Sequence, residues 1–180
     1  MELFKGRPSD LSDRSEKEIR VYDLLDSLNI EYFRLDHAPA FGSEEELCKE
    51  IEESLGARIC KNLFLANRQR TKFYMLMMPE HKVFRSSDIS KQAGSSRLHF
   101  AESEYMEELI GCSSGSASVM GLMNDTDHRV QLLVDDDVIN SKYVGCHPCI
   151  NTSSLRIKSE DVFGKFLKAT GHDFIIVHAE

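Results

Sequence analysis

The sequence predicts an α+β fold, a single domain over residues 1–180 with a mixed, mostly antiparallel, barrel-like sheet surrounded by helices. Three observations carry that expectation. The apolar pattern switches repeatedly between helical spacing and the two-residue alternation of strands. The strand-like runs are joined as hairpins without regular strand–helix–strand spacing, which argues against a doubly wound parallel sheet. The 180 residues, 41% hydrophobic and 29% charged, suffice for one core and contain no linker, repeat or low-complexity segment.

Residues Arg14 to Asn29 place Ile19, Tyr22, Leu25 and Leu28 at helical spacing, and Ser15 with Glu18 forms a capping-box signature. Glu31–His37 alternates as a strand. The Ala38-Pro39 step and Phe41-Gly42-Ser43 form a turn into an acidic helix, Glu44 to Leu55, closed by Gly56, whose acidic face reads as solvated surface. Lys61–Ala66 and Lys72–Met78 are β-rich runs across the polar Asn67–Thr71, a hairpin whose methionines read as core filling. Ser86–Ala93 and Glu102–Ile110 follow as short helices, with Leu98-His99-Phe100 as a strand between them. Strands are then expected at Ala117–Met123, Arg129–Val134, Leu155–Lys158 and Phe174–His178, with a tight bend at Gly145. A last helix, Ser159–Thr170, ends at Gly171.

Composition narrows the function. No apolar run approaches the ~20 residues of a membrane-spanning helix, and the first residues lack the apolar core of a signal peptide, so a cytoplasmic protein is expected. The five cysteines, Cys48, Cys60, Cys112, Cys146 and Cys149, are odd in number and widely spread, which points to reduced thiols packed as small hydrophobes. The net charge of −8 by itself disfavours nucleic acid. Its distribution does not: between Arg58 and Phe100 nine Lys or Arg stand against two acids, so that stretch carries +7 and the remainder −15. A charge-clustered solvated surface and a polyanion-facing surface both fit.

Three segments hold chemistry-bearing residues. Lys61 opens the run Lys61-Asn62-Leu63-Phe64-Leu65, where its ammonium is either a surface charge or a cation in a cleft. Gly115-Ser116-Ala117-Ser118-Val119-Met120-Gly121-Leu122 offers two hydroxyls among small residues, either for a ligand or for tight packing. Gly145-Cys146-His147-Pro148-Cys149-Ile150-Asn151-Thr152 would hold His147 rigidly in a bend whose amides suit an oxyanion, or is a structural turn. Cys146 and Cys149 also spell C-x-x-C, which opens a redox or zinc reading, with Cys112 and His172 as further ligands. That motif lies late among hairpins, away from the strand–helix context of thiol oxidoreductases.

In the order and spacing of these segments the chain resembles the YbaK/prolyl-tRNA synthetase-associated editing family, and within it the stand-alone proteins that hydrolyse alanyl-tRNA(Pro). The likeness also takes in His37-Ala38-Pro39-Ala40-Phe41, Asp135–Val138, and the ending Asp161-Val162-Phe163 to Gly171-His172. The resemblance implies a small barrel-like domain without metal or cofactor that hydrolyses the ester between a wrong amino acid and the terminal adenosine of tRNA(Pro). Mischarged tRNA(Pro) and prolyl-tRNA synthetase are the implied partners, with no role for DNA or membrane. It places Lys61 on the terminal phosphate or ribose, and Gly145 to Pro148 on the acyl group with His147 at the family's histidine. Asn62, Ser116, Ser118, Pro148 and Asn151 are implied to line or bind at the pocket. Val119, where many relatives have proline, and Cys149 are departures that leave the removed amino acid, alanine, cysteine or serine, open. The same fold could also serve a non-catalytic aminoacyl-tRNA-binding or regulatory protein.

Overall fold

The computed structural model of the chain describes residues 1–40 and 45–180, so the turn expected at 41–43 and the helix start at Glu44 lie outside the described residues. A three-residue strand β1 (Leu3–Lys5) precedes helix α1 (Glu16–Ser27), which buries Val21, Tyr22 and Leu25. Ser15 caps α1 by accepting the Glu18 amide, but the capping box stays half made. The Glu18 carboxylate turns inward to accept from the Tyr22 hydroxyl and from Arg14. Strand β2 (Tyr32–Asp36) leads to α2 (Glu45–Leu55), which buries Ile51 and Leu55 and ends at Gly56, in the left-handed region at φ +66°.

The expected hairpin is β3 (Cys60–Ala66) and β4 (Phe73–Pro79), paired from Cys60 opposite Pro79 to Ala66 opposite Phe73. Its turn is closed by Asn67, whose Oδ1 accepts from the amides of Thr71 and Lys72. Then come α3 (Ser86–Gln92), β5 (His99–Phe100) and α4 (Ser103–Ile110). The strand expected at Ala117–Met123 is instead a 3-10 helix, Val119–Asn124, capped by Ser118. A short apolar run does not fix its period, and here Gly121 lets the segment press onto the end of α4: a Cβ there would stand 2.5 Å from the Ile110 carbonyl oxygen. The chain continues through β6 (Val130–Asp135), α5 (Asp136–Ile139), β7 (Tyr143–Cys146) and β8 (Ser153–Lys158). A π-helical segment, Asp161–Phe166, runs into α6 (Leu167–Thr170), and β9 (Phe174–Val177) closes the fold. Gly145 lies inside β7 and not at a bend.

The strands form two sheets. One has the order β1-β2-β8-β7 and is antiparallel throughout; the other, β5-β3-β4-β6-β9, is antiparallel at β5-β3-β4 and parallel at β4-β6-β9. A bridge between Ile59 and Gly145 joins them, giving the barrel-like closure. Strand β4 is central and buried along its whole length, so it reads as a continuous apolar run. Met75 and Met77 face the main core with Phe73, while Leu76 and Met78 pack with Ile89, Leu98 and Leu133 on the other side. At ~1.5–3 kcal/mol per fully buried side chain, this strand is a principal source of stability. No helix among the described residues is long and apolar enough to cross a membrane.

Candidate active site

The seam between the sheets is where chemistry-bearing residues converge. Backbone contact there is unusually close: the Gly145 amide donates to the Arg58 carbonyl at 3.1 Å, and a Cβ on Gly145 would lie 2.5 Å from that oxygen. Only glycine permits this approach, which sets the end of β7 beside the start of β3. A cleft of about 330 Å³ opens at the seam, lined by Glu52, Lys61, Asn62, Ala117, His147 and Ser154 among others.

Lys61 enters from the second residue of β3. Its Nζ donates to the carbonyls of Glu80 and Lys82, each at 3.0 Å, which leaves one ammonium proton uncommitted among the described residues. Among the described residues no carboxylate lies within 4.0 Å of it, so the charge is anchored but not neutralised. The anchor is itself fixed. Lys82 is buried and bridges Asp135 at 2.8 Å and Asp137 at 2.9 Å; burial works against its charge, but the two carboxylates outweigh that and hold it as ammonium. The adjoining Asn62 donates from Nδ2 to the Cys60 carbonyl at 3.0 Å, and its buried Oδ1 has no partner among the described residues.

His147, directly after β7, lines the same cleft. Its Nδ1 faces the Ser153 carbonyl at 2.9 Å and so carries a proton, leaving Nε2 as an acceptor when the ring is neutral. Burial lowers its pKa below 6.5, and the neighbouring His37 adds to that. His37 donates from Nδ1 to the Ala38 carbonyl at 2.7 Å and takes the Ser154 hydroxyl on Nε2 at 2.8 Å; it is also lowered by burial. The two rings are 6.1 Å apart, and burial favours the neutral form of both.

The other expected site residues support this pair from behind. Ser118 is fully buried, donates to the His147 carbonyl and accepts the Met120 amide, so it pins the His147 loop and does not line the cleft. The Ser116 hydroxyl is spent on Ser113, while its neighbours Gly115 and Ala117 form cleft wall. Pro148 is buried, and the Asn151 carbonyl accepts the amide of Ala40, a wall residue. Part of the bend expected to supply oxyanion donors is already committed. The Gly145 amide is committed to Arg58, Pro148 has no N–H, and Cys146 pairs opposite Leu155 in the ladder.

Val119 and Cys149 are buried in the main core and are not among the cleft walls, so they do not set the cleft's size directly. Cys149 adopts φ 63° and its thiol is raised by a hydrogen bond with Cys112 and by burial; burial pushes Cys60 up to about 12 and also raises Cys146. These shifts disfavour the thiolate that redox or zinc chemistry uses at Cys146 and Cys149, whereas Cys112 is lowered by its bond with Cys149. Of the ligands suggested for zinc, His172 is engaged elsewhere, with Asp125 at 2.9 Å. Sequence reasoning passed over Glu52, Ser154 and the functional place of His37. Two adjacent serines at a strand start, Ser153 and Ser154, were the available signal for buried polarity. The basic stretch is partly quenched by acids outside it: Arg70 pairs with Glu102, Arg85 with Glu180, and Lys82 with Asp135. Arg58, Arg68, Lys72, Lys91 and Arg97 make no ion pair among the described residues.

Comparison with known proteins identifies the family of the chain. Residues 37–164 match the family model of the aminoacyl-tRNA editing domain. The chain is 27% identical over 150 residues to the prolyl-tRNA editing protein ProX of Acetoanaerobium sticklandii, covering 83% of this chain and 90% of that protein. It is 30% identical over 168 residues to the prolyl-tRNA synthetase associated domain-containing protein 1 of Mus musculus, covering 91% and 97%. In fold it is similar to the crystal structure of a candidate trans-editing enzyme for prolyl-tRNA synthetase, with a TM-score of 0.68 at 16% identity over 92% of this chain and 98% of that one.

Proposed function

The chain belongs to the aminoacyl-tRNA editing domain family, and from that premise we propose that it is a trans-acting deacylase that removes a small, wrongly attached amino acid, alanine foremost, from tRNA(Pro). The observation that carries this reading is the pairing of an uncompensated lysine ammonium with a neutral histidine across one cleft. An aminoacyl ester is already activated, so hydrolysis needs a placed water and a firm hold on the adenosine and not a strong nucleophile. In this reading Lys61 engages the terminal phosphate or ribose through its uncommitted proton, and Asn62 offers its unpartnered Oδ1 to a substrate donor. His147 Nε2 accepts a proton of the attacking water, directing it at the ester carbonyl. The tetrahedral centre collapses by breaking its bond to the adenosine 3′-oxygen, which takes up the proton held on His147 Nε2 and leaves as the 3′-hydroxyl, with the neighbouring 2′-hydroxyl as a hydrogen-bond donor.

A synthetase site built for proline cannot strongly reject a smaller apolar side chain, so proofreading by size falls to a second site. Here Ala40, Ile51, Ile59 and Ala117 supply apolar wall for a small acyl group. Arg58, Arg68, Lys72, Lys91 and Arg97 are the cations left to meet tRNA phosphates, with affinity falling as salt rises. Prolyl-tRNA synthetase, named in the relatives' descriptions, is a fitting source of the mischarged substrate. The test is deacylation of tRNA(Pro) charged with alanine, cysteine, serine or proline. Alanyl-tRNA(Pro) should be cleaved fastest and prolyl-tRNA(Pro) spared; no cleavage above the uncatalysed rate on any of them refutes an enzymatic role.

A further inference from the structure

The acidic helix α2 contributes one carboxylate to the cleft. Glu52 is half-buried on α2 and lines the cleft that also holds Lys61 and His147. Its Oε1 accepts the Ile59 amide at 2.9 Å, which fixes the carboxylate's orientation. Neither Lys61 nor any other cation among the described residues comes within 4.0 Å of it, so Oε2 keeps its full accepting capacity. The cleft therefore carries a cation and an anion that do not neutralise one another. That is the complement of a ligand with phosphate or ribose at one end and an ammonium at the other.

We propose that Glu52 is a specificity-determining residue that binds the α-ammonium of the aminoacyl ester, so that the site takes esters of free amino acids in preference to neutral acyl esters. The proposal rests on the deacylase reading above. The alternative is that Glu52 only latches α2 onto the residue before β3. Glutamine separates the two, because its amide oxygen still accepts the Ile59 N–H but carries no charge. A charge-assisted hydrogen bond in a partly buried site is worth about tenfold or more in rate.

The experiment compares single-turnover deacylation of alanyl-tRNA(Pro) and of lactyl-tRNA(Pro), made from it by nitrous-acid deamination, by wild type and Glu52→Gln. The lactyl ester keeps the shape and replaces the ammonium with a hydroxyl. Taking the variant-to-wild-type ratio for each ester cancels its intrinsic lability. The expected result is a loss of about tenfold or more on alanyl-tRNA(Pro), with less than twofold on lactyl-tRNA(Pro), in a variant that melts like wild type. Equal losses on both esters, no loss on either, or a Glu52→Gln protein that fails to fold would assign Glu52 to the latch and overturn the proposal alone. Wild type cleaving neither ester overturns the deacylase reading and the proposal with it.

Discussion

Replacing Gly145 with alanine probes the seam on which the cleft depends. The added Cβ would meet the Arg58 carbonyl oxygen at 2.5 Å, its carbon at 3.0 Å and the Ile59 Cα at 3.2 Å. All three are backbone atoms, so no rotamer change relieves the clash. Reaching the 3.4 Å at which ordinary contact begins requires the strands to part by about 0.9 Å, which also breaks the 3.1 Å bond from the Gly145 amide. Overpacking costs about 1–3 kcal/mol and the lost hydrogen bond about 1, against a gain of about 0.4–1 from a stiffer unfolded chain. The net expectation is a destabilisation of about 2 kcal/mol, a large share of a typical ~5–15 kcal/mol. Because β3 carries Lys61 and β7 leads into His147, a shift near 1 Å between them should also slow deacylation about a hundredfold. Urea unfolding and single-turnover deacylation measure the two effects. Gly164→Ala is the control, since nothing lies within 4 Å of a Cβ there and its φ is ordinary; it should be neutral or stabilising. If Gly145→Ala behaves like Gly164→Ala in both assays, the seam argument is wrong.

The remaining predictions concern the His147 side of the cleft. Ser118→Ala strands the His147 carbonyl and the Met120 amide in a fully buried site, so the urea midpoint should fall by the equivalent of about 2–3 kcal/mol at an unchanged m-value, and kcat should drop with it; a change under about 0.5 kcal/mol refutes the pinning role. The acidic limb of kcat/KM should have its midpoint below 6.5, because burial favours neutral His147 and protonation removes its Nε2 acceptor; a limb at or above 6.5 contradicts this. Stability has a matching sign. With the folded pKa values of His37 and His147 depressed, the unfolded chain binds more protons in the window just below 6.5, so urea midpoints should fall as pH drops through it.

The β3–β4 hairpin was legible because two β-rich runs flank a polar turn with Asn67 at its start, and α1 because four apolar residues keep helical spacing. Strand β1 was not, since three residues carry no period of their own and exist as a strand only by pairing with β2. The Val119–Asn124 segment was misread as a strand because its helical turn is imposed by the Ser118 cap and by Gly121 against Ile110. Within the site, Lys61, Asn62 and His147 could be named from sequence, and the cleft does contain them. What sequence could not supply was long-range. His37 meets Ser154 across 117 residues, Gly145 is required by a carbonyl on another strand, and Glu52 differs from its acidic neighbours only in facing inward. Charge counting erred for the same reason at Lys82, whose ammonium is buried among Asp135 and Asp137 and unavailable to a polyanion.

The most direct measurement is the single-turnover rate of alanyl-tRNA(Pro) hydrolysis by wild type and by Lys61→Ala at matched folding. The account predicts cleavage by wild type well above the uncatalysed rate and a loss of more than about tenfold, or ~1.4 kcal/mol of transition-state stabilisation, in the variant. A Lys61→Ala protein that retains wild-type turnover would contradict it.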